Sequence, residues 1–181
     1  MRRRASAINR SRSPKSVVDE VLKDTSKLQL GGERRVCTVF FSDIRGFTTI
    51  SEKLSPEDLV HLLNSYLTPM TNIVFKYDGT LDKYMGDAIM AIFGAPKSYG
   101  NDTLNAVRCA QQMMAERAKL NETSRYHLQV GIGLATGRVL AGNMGSADRS
   151  NYTVLGERVT VASRLCRVAR RGEVVIGPPT R

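Results

Sequence analysis

The segment 36–42 (VCTVFFS) restricts the fold more than any other part of the chain, because it is a continuous run of apolar, β-branched and aromatic residues. Such a run is typical of a strand covered on both faces, whereas a strand with one solvent face alternates apolar and polar residues. The run ends at Asp43, which places a carboxylate at the end of a buried strand. We therefore expect a layered protein with this strand inside its sheet.

A hairpin is the second clear feature, because Gly86-Asp87 separates two strand-like segments, Thr80–Met85 and Ala88–Phe93. Ser55-Pro56 is a helix start, with Ser as the N-cap and Pro at the first helical position. That helix is predicted to run toward Tyr77, with Pro69 kinking or dividing it. A short helix is predicted from about Gly46, with Phe47, Ile50 and Leu54 as its buried side. The other predicted elements are a helix over 102–121, strands at 127–135, 139–144 and 152–155, a helix over 158–170 and a strand at 174–176.

This order of elements predicts an α/β fold of the α+β kind, ferredoxin-like, with a mostly antiparallel sheet and helices packed on one face. The 181 residues suffice for one domain with its own core. We expect a basic flexible leader at 1–15, a linker helix and turn at 16–32, and the main domain at 33–181. Gly31-Gly32 is expected to break the regular structure before the main domain begins.

The formal charge of +10 is concentrated in the leader, where residues 1–18 hold six basic residues and no acid. We interpret the leader as a solvated linker; contact with an anionic membrane and contact with nucleic acid are the alternatives, and we expect no nucleic-acid partner. Cys37, Cys109 and Cys166 form no CxxC pattern and are expected to be reduced, buried thiols.

Two acids stand out by their positions, Asp43 at a strand end and Asp87 in the hairpin turn. If their strands lie side by side, both carboxylates reach one edge of the sheet, and such a pair is unfavourable unless cations lie between them. Magnesium is commonly bound by one or two carboxylates plus substrate phosphates, so the pair suggests a two-metal site for phosphoryl or nucleotidyl transfer. Alternatively, each acid caps a strand end or turn.

The segment after Asp43 adds a supporting signal for a phosphate. Gly46, Phe47 and Thr48 lead directly into the predicted short helix, where free backbone N–H groups could hold a phosphate. Gly46 would let that phosphate approach the backbone closely. A glycine before a helix is common, so this pattern supports the metal site without establishing it.

Three motifs carry a family resemblance: residues 41–48 (FSDIRGFT), 81–93 (LDKYMGDAIMAIF) and 142–164 (GNMGSADRSNYTVLGERVTVASR). In this order they resemble the three signatures of class III nucleotidyl cyclase catalytic domains, and the likeness extends over about 16–177. The resemblance implies the cyclase fold. It also implies adenylyl cyclase activity, the conversion of ATP to cyclic AMP and pyrophosphate in signal transduction.

The resemblance also assigns roles by position. Asp43, Asp87 and the carbonyl of Ile44 match the ligands of two Mg²⁺ or Mn²⁺ ions. Lys83 and Thr153 match the pair that reads the purine, in the adenine-selecting form. Arg164 matches the arginine that steadies charge on the α-phosphate, and removing such a donor typically costs about 10²–10³ in rate.

The resemblance further implies a homodimer with shared active sites, the metal acids of one protomer facing the base-reading pair and arginine of the other. The leader is similar to segments that join such domains to upstream sensor or membrane modules. We therefore expect a cytoplasmic domain, which a membrane-anchored protein could carry.

The sequence departs from the family pattern at three places. Thr160 stands where most active members have Asn, which orients the ribose, and Gln129 stands where some have an arginine. The sequence also ends before the final strands that usually supply a phosphate-binding lysine, so the C-terminal strands are expected to be missing. These departures keep open a catalytically weak or inactive regulatory and dimerisation module; a guanylyl cyclase is a further alternative, against which Lys83 argues.

Overall fold

The structure is a computed structural model that describes residues 31–146 and 149–180. Its elements are β1 (Gly31–Ile44), α1 (Phe47–Ser51), α2 (Pro56–Lys76), β2 (Thr80–Met85), β3 (Ala88–Phe93), α3 (Asp102–Thr123), β4 (Val130–Gly145), β5 (Ser150–Leu155), α4 (Glu157–Val168), β6 (Val174–Ile176) and a 3₁₀ turn (Pro178–Thr180). The basic leader and most of the linker, including the predicted helix at 16–22, lie outside the described residues. None of the helices in the described ranges is long and apolar enough to cross a bilayer.

The sheet runs in the order β2-β3-β1-β4-β5, with β6 pairing beside β4. Its strands pair antiparallel except for β6, which is parallel to β4. β1 is therefore interior to the sheet, and its residues from Cys37 to Ser42 are buried, as the apolar run 36–42 predicts. The mostly antiparallel α+β fold expected from the sequence is confirmed.

The side chains of β1 pack alternately into two separate hydrophobic cores, one on each face of the sheet. Phe40 and Ile44 pack with α2 and α3, whereas Val39 and Phe41 pack with Ala162 on α4. The helices thus cover both faces of the sheet, and the prediction that they share one face is correct for α1, α2 and α3 but not for α4. The physical reason lies in β4, whose glycines leave room for α4 against the sheet backbone.

Two local predictions were wrong, and a third, that Pro69 kinks or divides its helix, was wrong as to division. Gly31-Gly32 begins β1 instead of breaking the chain, and the two strands predicted at 127–135 and 139–144 form the single strand β4. β4 stays continuous because all its residues from 130 to 144 face a partner residue on β1, β5 or both. Pro69 lies inside an undivided α2, where the buried side chains of Tyr66, Met70 and Ile73 hold the helix against the core.

The start of α2 agrees with its predicted N-cap. The Asp58 backbone N–H donates to Ser55 Oγ over 3.1 Å. We expect Ser55→Ala to lower the free energy of unfolding by about 1 kcal/mol, because one N–H at the helix start loses its partner. Thermal unfolding checks this as a fall in Tm of roughly 2–4 °C. Ser55→Asp keeps an acceptor and should unfold like the wild type; equal Tm values for all three proteins would contradict the cap.

The three cysteines are buried and free, as predicted. Burial raises the pKa of the Cys37 thiol to about 11 and that of the Cys166 thiol to about 11. Neutral buried thiols behave as small apolar side chains, so these residues contribute packing rather than reactivity.

Candidate active site

The two acids singled out in the sequence meet at one edge of the sheet. β1 and β3 pair with Ser42 opposite Ile89, which brings the end of β1 next to the turn at Gly86-Asp87. The Ile44 backbone N–H donates to Asp87 Oδ2 over 2.9 Å. Burial, together with the Asp43 carboxyl within hydrogen-bonding reach, raises the pKa of Asp87 to about 6, and burial is the larger cause. The predicted juxtaposition of these carboxylates is confirmed.

Arg45 is a member of this site that the sequence analysis did not single out. Its Nη1 lies 3.3 Å from Asp43 Oδ2, and its Nη2 donates to the carbonyl of Cys166 on α4. A side chain at Gly131 would collide with this guanidinium, so the glycine provides its space. The available signal was the two-residue spacing from Asp43 at the end of a strand, which puts both side chains on one face.

The donor set at this edge is suited to a hard divalent cation. Arg45 offers the Asp43–Asp87 pair one positive charge, which leaves the pair with excess negative charge, and the raised pKa of Asp87 reflects that excess together with burial. No group of three or more His, Cys, Asp or Glu side chains in the described ranges could hold a metal. Two carboxylates still fit magnesium, which completes its shell with water and substrate oxygens.

A cleft of about 620 Å³ opens beside Asp43. Its other side is formed by α4, which contributes Thr160, Ser163 and Arg164, while Met85 and Ala88 line it from the hairpin. Thr160 and Arg164 are exposed, so both side chains are available to a bound molecule. Each chain therefore presents an anionic edge and a cationic helix face, the two kinds of group that a metal-bound phosphate ester requires.

The predicted base-reading pair also comes together. Lys83 on β2 and Thr153 on β5 lie on opposite edge strands of the sheet, yet Lys83 Nζ is 3.5 Å from Thr153 Oγ1. The sheet must therefore curve until its edges meet at this point. Between them lies Asp82, whose side chain is 1% exposed and whose Oδ2 accepts a hydrogen bond from Thr153 Oγ1 over 2.5 Å. Asp82 is a site residue that was not predicted from the sequence.

The remaining predicted site residues lie next to the acids in the chain. Gly46 has φ 75, the left-handed conformation that glycine adopts readily, and it precedes the five-residue helix α1. Phe47 packs on the core with Ile50 and Leu54, as predicted, whereas Thr48 is exposed. Gln129 is exposed just before β4, and its carbonyl accepts from the Arg45 backbone N–H over 2.7 Å.

Comparison with known proteins agrees with this arrangement. The family model described as the adenylate and guanylate cyclase catalytic domain matches residues 32–181. The uncharacterized protein Rv1318c of Mycobacterium tuberculosis is 39% identical over 147 residues, covering 81% of this chain and 26% of its own length. The chain thus spans about a quarter of that relative.

Two solved structures have nearly equal similarity. The guanylyl cyclase Cya2 has a TM-score of 0.80 and 39% identity, covering 83% of this chain and 79% of its own. The adenylyl cyclase CyaB from P. aeruginosa has a TM-score of 0.79 and 40% identity, covering 83% of this chain and 81% of its own. With its paired acids, its cleft and these relatives, the chain belongs to the adenylate and guanylate cyclase catalytic domain family.

Proposed function

We propose that the chain is the catalytic domain of an adenylyl cyclase, which converts ATP to 3′,5′-cyclic AMP and pyrophosphate. The ribose 3′-oxygen forms a bond to the α-phosphorus, and the bond from that phosphorus to the oxygen bridging to the β-phosphate breaks, which releases pyrophosphate. The proton of the 3′-hydroxyl passes to water. The observation that carries adenine specificity is the contact of Lys83 with Thr153. That pair offers one donor and one acceptor, which match adenine N1 and its exocyclic amino group.

The protein side of the reaction is positioning and charge. Asp43, Asp87 and the Ile44 carbonyl would hold two Mg²⁺ or Mn²⁺ ions, which when bound neutralise phosphate charge and favour the deprotonated 3′-oxygen. Arg45 pairs with the Asp43 carboxylate and also donates to the Cys166 carbonyl on α4, so it holds the carboxylate in place. Thr160 and Arg164 line the cleft of their own chain and are exposed. In a dimer, Arg164 would stabilise charge that grows on the α-phosphate held by the acids of the other protomer, and Thr160 would contact the ribose.

We further propose a symmetric homodimer with two shared sites. Each chain carries both the acidic edge and the α4 residues, so a two-fold axis would place the acids of one protomer against Lys83, Thr153 and Arg164 of the other. Met85 is 43% exposed in the cleft wall, and Leu155, two residues from Thr153, is 56% exposed. Such apolar surface beside the site supports burial by a second protomer. The intact protein would add an upstream sensor or membrane module.

The proposal predicts a specific assay result. With Mg²⁺ or Mn²⁺, the protein should form cyclic AMP from ATP and at least about tenfold less cyclic GMP from GTP, since a mismatched hydrogen-bonding edge costs at least a factor of this order. Specific activity should rise with protein concentration, because an incomplete site in the monomer is completed by association.

Two other outcomes of this assay would each favour an alternative function. Cyclic GMP as the main product would agree with the likeness to the guanylyl cyclase Cya2 and would contradict adenine specificity. A folded dimer that binds ATP without turnover, even as Thr160→Asn, would instead be a regulatory module. The exposed Thr160 in the cleft, where most active members have Asn, motivates that second candidate.

A further inference from the structure

Asp82 occupies an unusual position on β2. The pairing of β2 with β3 shifts between Leu81 and Lys83, so Asp82 is an extra residue in the strand, a β-bulge. The Asp82 side chain is 1% exposed, whereas that of Lys83 is 47% exposed. Neighbouring residues of a regular strand point to opposite faces, but here both side chains reach Thr153.

The contacts of Asp82 determine what Thr153 can offer to a ligand. Thr153 has one hydroxyl hydrogen, and it donates that hydrogen to Asp82 Oδ2, which as a carboxylate oxygen can only accept. The remaining capacity of Thr153 Oγ1 is as an acceptor. Lys83 Nζ, at 3.5 Å, approaches Oγ1 as a donor, in agreement with that polarity.

The other oxygen of Asp82 has no hydrogen-bond partner among the described residues. Asp82 Oδ1 is buried and accepts no hydrogen bond, although the Lys83 ammonium lies 3.3 Å away as an ion pair. A buried carboxylate without full hydrogen bonding is costly to the fold. Retaining one at this position is consistent with a role in the site.

We propose that Asp82 is a positioning residue that sets purine specificity by fixing the Thr153 hydroxyl as an acceptor. The inference rests on the proposed function. Beside the Lys83 donor, a Thr153 locked as an acceptor matches the edge of adenine, where the acceptor N1 adjoins the amino donor. Guanine presents the reverse pattern, with a donor at N1 and an acceptor at O6. A freely rotating hydroxyl would donate to O6 as readily as it accepts from the amino group.

The test is the ratio of kcat/KM for ATP to that for GTP. We expect Asp82→Ala to lower this ratio at least about tenfold, because the hydroxyl becomes free to serve either base. In a double-mutant cycle with Thr153→Val, removing Asp82 should leave the ratio unchanged, since the hydroxyl through which it acts is gone. Equal ratios in the wild type and a folded Asp82→Ala protein would overturn the inference. It would also be overturned if Asp82→Ala changed the ratio by the same factor in the wild-type and Thr153→Val proteins.

Asp102→Ala is the matched control. This carboxylate also accepts a hydrogen bond from a side-chain hydroxyl, that of Ser98 over 2.5 Å, and it accepts a second from the Tyr99 backbone N–H over 3.0 Å, but it lies at the start of α3. The control should lower Tm and leave the nucleotide ratio unchanged, which separates lost stability from lost specificity. A ratio shifted in Asp102→Ala as much as in Asp82→Ala would reduce Asp82 to a structural role.

Binding separates failure of this inference from failure of the proposed function. 3′-Deoxy-ATP and 3′-deoxy-GTP lack the attacking hydroxyl, so calorimetry with Mn²⁺ measures their affinities without turnover. A wild-type protein that does not prefer the adenine analogue contradicts the proposed function. A wild type that prefers it, together with an Asp82→Ala protein that keeps the same preference, overturns only the role of Asp82.

Discussion

Asp87→Asn is expected to lower cyclase activity by about 10³-fold or more, the largest functional effect of any single change that we predict. Loss of a metal-holding carboxylate removes several kcal/mol of transition-state stabilisation, and each 1.36 kcal/mol is a factor of ten in rate. The asparagine oxygen can still accept from the Ile44 N–H, so the turn at the end of β1 should be retained. Cyclic AMP formation at saturating Mn²⁺ measures the loss.

The same substitution should stabilise the metal-free fold at neutral pH. The folded-state pKa of Asp87, about 6, exceeds the ordinary value of 3.8. The folded wild type therefore binds this proton more tightly than the unfolded chain, and it loses stability as pH rises through that window. The carboxyl is only half-buried, so solvent screening reduces the effect below that of the full pKa shift. Removing the carboxylate should recover about 1–2 kcal/mol at pH 7.5 in EDTA, and progressively less as pH falls below 6.

Asp78→Asn is the matched control for both effects. Asp78 has φ 60, in the left-handed region that asparagine tolerates well, and it lies in the turn after α2 rather than at the cleft. We expect wild-type activity and only a small change in stability from this control. Full activity in Asp87→Asn, or an equal loss in Asp78→Asn, would contradict the assignment of Asp87 to the metal site.

The parts of the site that the sequence predicts depend on local pattern. Asp43 ends an apolar run and Asp87 occupies a glycine turn, and antiparallel pairing of the adjoining strands suffices to bring them together. Phe47 was predicted correctly for a similar reason, since helical spacing from Phe47 to Ile50 and Leu54 defines one buried side.

The parts that the sequence did not predict depend on geometry between distant segments. Asp82 resembles any acid in a strand until a bulge turns it inward and the curved sheet brings β5 to it. The side on which α4 packs was also not predictable from its own apolar spacing. It depends on which alternate residues of β4 lack side chains, and glycines at alternate positions do not show which other segment fills the space that they leave.

Gly133→Ala tests the packing of α4 directly. A Cβ atom at position 133 would lie 2.1 Å from the Cys166 backbone nitrogen and 2.4 Å from the Ala162 carbonyl oxygen. Neither backbone atom can rotate away, so α4 would have to shift from the sheet. We expect a loss of about 3 kcal/mol of unfolding free energy or more, at the upper end of overpacking costs, and a fall in Tm of roughly 6–12 °C.

Gly177→Ala is the control for that loss, because it adds the same methyl group between the same two elements. Its Cβ would lie 3.6 Å from both the Leu134 carbonyl oxygen on β4 and Leu165 Cδ1 on α4, which is ordinary van der Waals contact. The substitution should leave Tm nearly unchanged, while Gly133→Ala should also reduce activity, since Thr160 and Arg164 move with the helix. Equal Tm values for the two variants would show that α4 is not seated on the β4 backbone at Gly133, and the cleft wall that it forms would then have to be reassigned.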